Sequence, residues 1–259
     1  MKIFSLIIIL SYLYFPLYTF AQEPDLMPIP SIPETEKDAI NITDALHELS
    51  ENKDNTLDFC GQTVNLNFKE RQKKLRNELE LISRSSSVLL QRANYYFPIV
   101  EPILNENNIP EDFKYLMVVE SAMNPNARSC KGAAGIWQFM KGTANDYGLQ
   151  VNARIDERFQ IEKATVAACR YLNDAYQRFG DWIAVAQSYN IGQARIDNEL
   201  SRQQVEDVLD LDLVEETNRY IYRIFAAKII FTNPKDFGLS DNMLYYKKMR
   251  KEMRRRFSR

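Results

Sequence analysis

Between Val64 and Phe231 the apolar residues recur at helical spacing, and no stretch of useful length alternates polar and apolar as a strand would. Phe68, Leu75, Leu79 and Ile82 stand at i, i+7, i+11 and i+14, which places them on one helical face. In Ile161–Arg178 the residues Ala164, Ala167, Ala168, Tyr171, Leu172, Ala175 and Tyr176 line another. Glycine, which would weaken such helices, is scarce. Only eight occur, and six of them (Gly132, Gly135, Gly142, Gly148, Gly180, Gly192) fall between 132 and 192. Special backbone positions are therefore concentrated in one segment between plain helical flanks. The expected fold class is all-α.

Punctuation along the chain divides the helices. Ser85-Ser86-Ser87 breaks and recaps the chain before Val88–Tyr96, and Tyr96-Phe97-Pro98-Ile99-Val100 leads into a second helix ending near Asn107-Asn108. Pro110 suits the first turn of the next helix, with Glu111 and Asp112 at its positive end. That helix is the apolar run Tyr115, Leu116, Met117, Val118 and Val119, and it delivers one carboxylate, Glu120. Thr143–Tyr147 closes a helix at Gly148; another stops at Gly180, and Asp181 caps its successor, which ends at Gly192. A last helix runs to about Phe231 and is stopped by Asn233-Pro234.

The two ends differ from this body. Residues 1–21 combine Lys2, an apolar run and Ala21, which reads as a secretory signal, with an uncleaved membrane anchor as the competing reading. Pro16 and the interspersed Ser and Thr favour cleavage, and either way the remainder is exported to the periplasm or cell envelope. Residues 22–60 carry Pro24, Pro28, Pro30 and Pro33 and read as a linker to a folded region spanning 61–240. The basic tail, 241–259, holds eight Lys and Arg against Glu252 from Tyr245 onward. It is either a solvated helix or a contact with anionic wall polymer or membrane surface. A net charge of −2 gives no global field for nucleic acid, which is not expected as a partner. Cys60, Cys130 and Cys169 form no CxxC cluster and His47 is the only histidine, so no metal site and no histidine-based triad is expected. Cys130 follows Glu120 in a loop, and Cys169 lies on the helix expected behind that loop. These two are expected to pair, leaving Cys60 free in the linker.

A carboxylate at the end of an apolar helix is poorly solvated, which raises its pKa toward the range useful to a general acid near neutral pH. After Glu120 come Asn124-Pro125-Asn126, the small-residue patch Gly132-Ala133-Ala134-Gly135, and Trp137, whose flat face suits a sugar ring or a neighbouring helix. The run from VVES through NPNARS to GAAGIWQFM resembles the first two motifs of the lytic murein transglycosylases of glycoside hydrolase family 23, the SLT-domain enzymes. Asp156-Glu157-Arg158 resembles the DER before their next helix. Gln187-Ser188-Tyr189-Asn190-Ile191-Gly192 resembles their AAYNAG motif, with Ser188 and Ile191 in place of alanines, a departure that bears on the width of a sugar cleft. Glu216-Thr217-Asn218-Arg219-Tyr220 resembles ETxxY, with Tyr222 where a proline is usual. No LysM wall-binding repeat, which relatives often carry near the C-terminus, is recognisable.

The resemblance covers roughly residues 64–239 and implies a lysozyme-like helical fold, peptidoglycan glycan strands as substrate and no cofactor. It implies that Glu120 is the catalytic acid and then base, with the substrate's own N-acetyl group as nucleophile, an exception to the usual carboxylate pair. By motif position, Ser129 would sit beside Glu120, Gln138 and Asn190 would bind acetamido groups and ring, Tyr189 would line the cleft, and Tyr220 would donate to the acetamido oxygen. Two alternatives stay open: a hydrolase of the same fold using water, and a wall-binding scaffold without catalysis.

Overall fold

The computed structural model describes residues 55–237. The expectations for the signal segment, most of the linker and the basic tail lie outside these residues. A β-hairpin comes first, β1 (Thr56–Phe59) paired antiparallel with β2 (Gln62–Asn65). Eight α-helices follow: α1 (Lys69–Ser83), α2 (Ser86–Glu106), α3 (Lys114–Ser121), α4 (Lys141–Asp146), α5 (Ile161–Phe179), α6 (Trp182–Ile191), α7 (Gln193–Gln203) and α8 (Glu215–Thr232). The region is all-α apart from that hairpin.

The helix α8 is the axis of the fold. From Tyr220 to Phe231 nearly every side chain is buried, so it has no solvent stripe and must be surrounded. It packs against α1, α3 and α6, while α5 packs on α2 and α6. Aromatic rings tie the layers: Phe231 meets Phe97 of α2 and Tyr115 of α3, and Phe225 meets Phe59 of the hairpin edge-on with ring centroids 5.3 Å apart. Tyr222, in the position of the usual proline, keeps its backbone donor in the helix and is buried with the Lys74 ammonium 5.7 Å over its ring.

Several boundaries differ from the sequence reading. The hairpin turns at Cys60-Gly61, both at positive φ (56° and 78°), as a two-residue turn with right-handed strand twist requires. The boundary drawn between 60 and 61 therefore cuts through a turn that belongs to the folded unit. Phe59 is fully buried, and Cys60 N–H donates to Asp112 at 2.7 Å, so this cysteine is not in a linker. Four-residue strands are too short to show alternation.

The two helices expected between Val88 and Asn108 are one, α2, with Pro98 and Pro102 inside it. Four residues apart, the prolines forfeit ladder bonds on one side only, and the continuous buried face of Leu89, Ala93, Tyr96, Phe97, Val100 and Leu104 holds the helix together. Tyr176 leaves the buried face of α5 and stacks on Trp182 instead, centroids 3.8 Å apart. The expected Cys130–Cys169 bridge is absent, and all three cysteines are free. Cys130 lies exposed in its loop, whereas Cys169 faces Ile103 of α2 with its thiol pushed up to about 12 by burial. Asp181 caps α6 as expected, accepting from the N–H groups of Ile183 and Ala184, each at 2.8 Å.

Candidate active site

Glu120 stands at the C-terminal end of α3, one residue before the helix stops. The stop is made by two non-glycine residues in the left-handed region, Ala122 (φ 50°) and Met123 (φ 59°), whose N–H groups return to the carbonyls of Val118 and Met117. Ser121 Oγ bonds Ile136 O at 2.8 Å and so ties this corner to the next motif. The carboxyl is half-buried, and its pKa is pushed up to about 7. Burial is the largest cause. The Tyr220 hydrogen bond and the positive charge of Arg223 oppose it, and the Glu216 carboxylate adds to it. Tyr220, from α8, donates its hydroxyl to Glu120 Oε1 at 2.5 Å. Its own pKa is raised well above the usual tyrosine value, by burial first and by the Glu120 charge second, so it remains a donor.

The loop between Asn124 and Met140 is built by backbone bonds rather than by a core of its own. Gly135 N–H reaches Ala127 O, and Ala134 pairs with Phe139. Gln138 sits in a turn at φ 50° and donates to Gly135 O at 2.7 Å and Ala127 O at 3.2 Å, so its amide nitrogen braces the loop. Arg158, of the DER segment, is held by both oxygens of Asp156 and donates to Gly132 O and Phe139 O. It is the strut beneath the loop.

Gly135 has φ 79°, and a Cβ there would stand 1.9 Å from Arg158 O. Alanine at Gly135 is therefore expected to cost about 2–4 kcal/mol of folding stability, read as a lower urea midpoint with an unchanged slope. A midpoint equal to wild type would mean that the loop and strut can separate freely.

Trp137 does not offer its face to a sugar. It is fully buried, with Nε1–H on Thr165 Oγ1 at 2.9 Å, which makes it core. Its carbonyl accepts from the Tyr189 hydroxyl at 2.8 Å, joining the second motif to α6. Tyr189 is half-buried against Tyr171 and Phe139. The neighbouring Asn190 accepts at Oδ1 from Thr217 Oγ1 at 2.7 Å, which joins α6 to α8. Ser129 lies at the exposed tip of the loop, where its Oγ accepts from Ala133 N–H, and no hydrogen bond joins it to Glu120. Ser188 is buried, bonds Val185 O within its own helix and accepts at its carbonyl from Tyr171. Ile191 packs on a small cluster of Ala184, Ile196, Leu211 and Leu213. The size of the residues at 188 and 191 is thus absorbed by packing.

Glu120 and Tyr220 are in direct contact across a separation of 100 residues, and Tyr189 and Asn190 are braced to the same motifs. Sequence reasoning missed Ser121, Thr217 and Arg158 as braces, although all three stand inside quoted motifs. It also missed Arg223 and Glu78. Glu78 carries no local signal, because it looks like an exposed helix position until α1 meets α8. Among the described residues, no group of three His, Cys, Asp or Glu could hold a metal ion, and no helix is long and apolar enough to cross a membrane.

Residues 98–209 match the transglycosylase SLT domain. The chain is 31% identical to membrane-bound lytic murein transglycosylase D of Escherichia coli K12 over 189 residues, 70% of this chain and 42% of that protein. It is 38% identical to the peptidoglycan transglycosylase gp16 of Escherichia phage T7 over 81 residues, 30% of this chain and 6% of that one. The match thus spans less than half the length of these relatives. Among solved structures, the 70 kDa soluble lytic transglycosylase of Escherichia coli superposes with a TM-score of 0.50 over 66% of this chain and 32% of that one, at 20% identity, a likeness of fold. The domain match and the identity over most of the chain agree, and this chain carries the SLT domain of the lytic murein transglycosylases.

Proposed function

We propose that the protein cleaves the β-1,4 bond between N-acetylmuramic acid and N-acetylglucosamine in peptidoglycan without consuming water. The observation that carries the reading is Glu120, a carboxyl held near neutral pKa and touched by one tyrosine hydroxyl. Such a group is substantially protonated at pH 7 and loses its proton readily, which suits a residue that must give and then take one.

In the first half-reaction the acetamido oxygen of the muramic residue attacks its own C1. The C1–O4 bond breaks, and the proton of Glu120 passes to the departing oxygen. In the second, the Glu120 carboxylate takes the proton of the C6 hydroxyl, O6 attacks C1, and the bond to the acetamido oxygen breaks. A 1,6-anhydro ring is formed and Glu120 regains its proton. Tyr220 donates to the Glu120 carboxyl in the free protein, and in this reaction it donates to the acetamido oxygen once substrate is bound. Asn190 Nδ2 and the Tyr189 ring line the approach, while Gln138 and Ser129 act by shaping the loop. An exported location, cell-wall turnover and glycan strands as the partner belong to the same reading.

Mass spectrometry of sacculus digests made in ¹⁸O-labelled water tests it. The expected muropeptides end in 1,6-anhydromuramic acid and carry no label. Labelled reducing ends would identify a hydrolase instead. Sacculus binding with no released product from the wild-type protein would identify a scaffold.

A further inference from the structure

Next to the Glu120–Tyr220 pair lies a group of charges that the proposed reaction does not use. Glu78 of α1 is completely buried, and each of its oxygens is taken by a different arginine of α8. Arg219 Nε donates to Oε1 at 2.6 Å and Arg223 Nε to Oε2 at 2.9 Å. Arg223 Nη1 donates to Glu216 Oε1 at 3.1 Å. The third nitrogen of that guanidinium, Nη2, is buried and makes no hydrogen bond. Two carboxylates thus face two guanidiniums, and one of the cations keeps an unused buried donor.

Such a cluster is a poor device for stability alone. Desolvating ion pairs is expensive, and apolar side chains of similar volume commonly do as well. A buried donor without a partner is a further cost that calls for a reason. The position of Arg223 supplies one. Glu216, Tyr220 and Arg223 are spaced four and three residues apart, so they share a face of α8, and Tyr220 on that face holds Glu120. No ion pair joins Arg223 to Glu120, so it acts across a gap, as a fixed charge. The charged and titratable groups that act on Glu120 are Tyr220, Glu216 and Arg223 from α8, Tyr189 from α6 and Tyr171 from α5. Among them only Arg223 is positive.

We propose that Arg223, gripped by Glu78 and Glu216, is a positioning residue that keeps a positive charge near Glu120 and stabilises the carboxylate between the two halves of the reaction. Glu78 fixes the guanidinium from a helix outside the matched SLT segment, and Glu216 moderates its field. The inference rests on Glu120 being the proton donor and acceptor.

The test is a ¹³C NMR titration of the Glu120 carboxyl, with the pH profile of kcat/KM beside it, for wild type, Arg223→Gln, Arg223→Lys and Glu216→Gln. Removing the cation is expected to move the Glu120 midpoint upward by about one pH unit. Lysine, which keeps the charge, is expected to return most of that shift, and Glu216→Gln is expected to move the midpoint downward. Should Arg223→Gln fail to fold, Glu216→Gln decides, because its carboxylate is partly exposed. One unmoved midpoint in all folded variants, with activity lowered evenly across pH, would reduce the cluster to an ordinary ion pair and overturn the proposal. The titration needs no turnover. Ordered shifts in a protein that forms no anhydro product would therefore support the electrostatic inference and reject the transglycosylase reading.

Discussion

Glu120→Gln is expected to lower muropeptide release by about 10³-fold or more while the protein still folds and still sediments with sacculi. General acid–base assistance is worth about 10²–10⁴-fold per step, and in the proposed reaction one residue serves both steps. Glutamine keeps the shape and an oxygen for the Tyr220 hydroxyl, so the hydrogen bond at Oε1 can persist. Stability should not fall, and above neutral pH it should rise. The folded-state pKa of Glu120, about 7, lies above its ordinary value of 4.5, so ionisation costs the native state more than the unfolded one. That penalty is absent below about pH 4, grows through the window between the two values and is fully present above pH 7. Glutamine never ionises. Its advantage over wild type, about 1–3 kcal/mol at most, is expected at pH 8 and not at pH 4, and melting curves at both values would show it. Equal turnover in the variant would remove Glu120 from the chemistry. A variant less stable at pH 8 than wild type would mean that the carboxylate is better solvated than its surroundings imply.

Tyr220→Phe is expected to lower activity by about 10-fold to 10³-fold, since one donor to developing charge is lost and the ring remains to fill its buried place. The pH dependence carries the sharper expectation. Tyr220 stabilises the carboxylate form of Glu120, so its removal keeps the acid protonated to higher pH. The alkaline limb of kcat/KM should move upward even as its height falls, and the second half-reaction, which needs the carboxylate, should slow most below neutral pH. A fall in height with an unmoved limb would mean that Tyr220 serves only the substrate and not Glu120.

Most of the expected helix boundaries were legible because they depend on local chemistry. The apolar stripe of α1, the glycine stop at Gly180, the Asp181 cap and the proline after Asn233 are short-range signals. The merged helix α2 was not legible, because prolines argue locally for a break and only packing on α5 overrules them. The hairpin was missed for a related reason, since its stability comes from Phe59 buried against Phe113 and Phe225, residues far along the chain. Cys130 and Cys169 looked like partners by their elements alone, but the helix turns Cys169 toward Ile103.

The motifs around Glu120, Tyr189 and Tyr220 pointed to the proposed site through their resemblance to a known family, because such motifs are local strings of residues. What those groups do to one another was decided in three dimensions. Trp137 looked equally suited to sugar or core until its ring was seen closed over by the helices. Ser129 looked like a hydrogen-bond partner of Glu120, whereas its hydroxyl oxygen accepts from Ala133 N–H within the loop. The contact of Tyr220 with Glu120, and the grip of Glu78 on two arginines more than 140 residues away, exist only because α8 runs through the centre and meets α1 and α3 together. A carboxyl's type is written in the sequence, but its pKa depends on burial and on which charges face it, and these are properties of the packed helices.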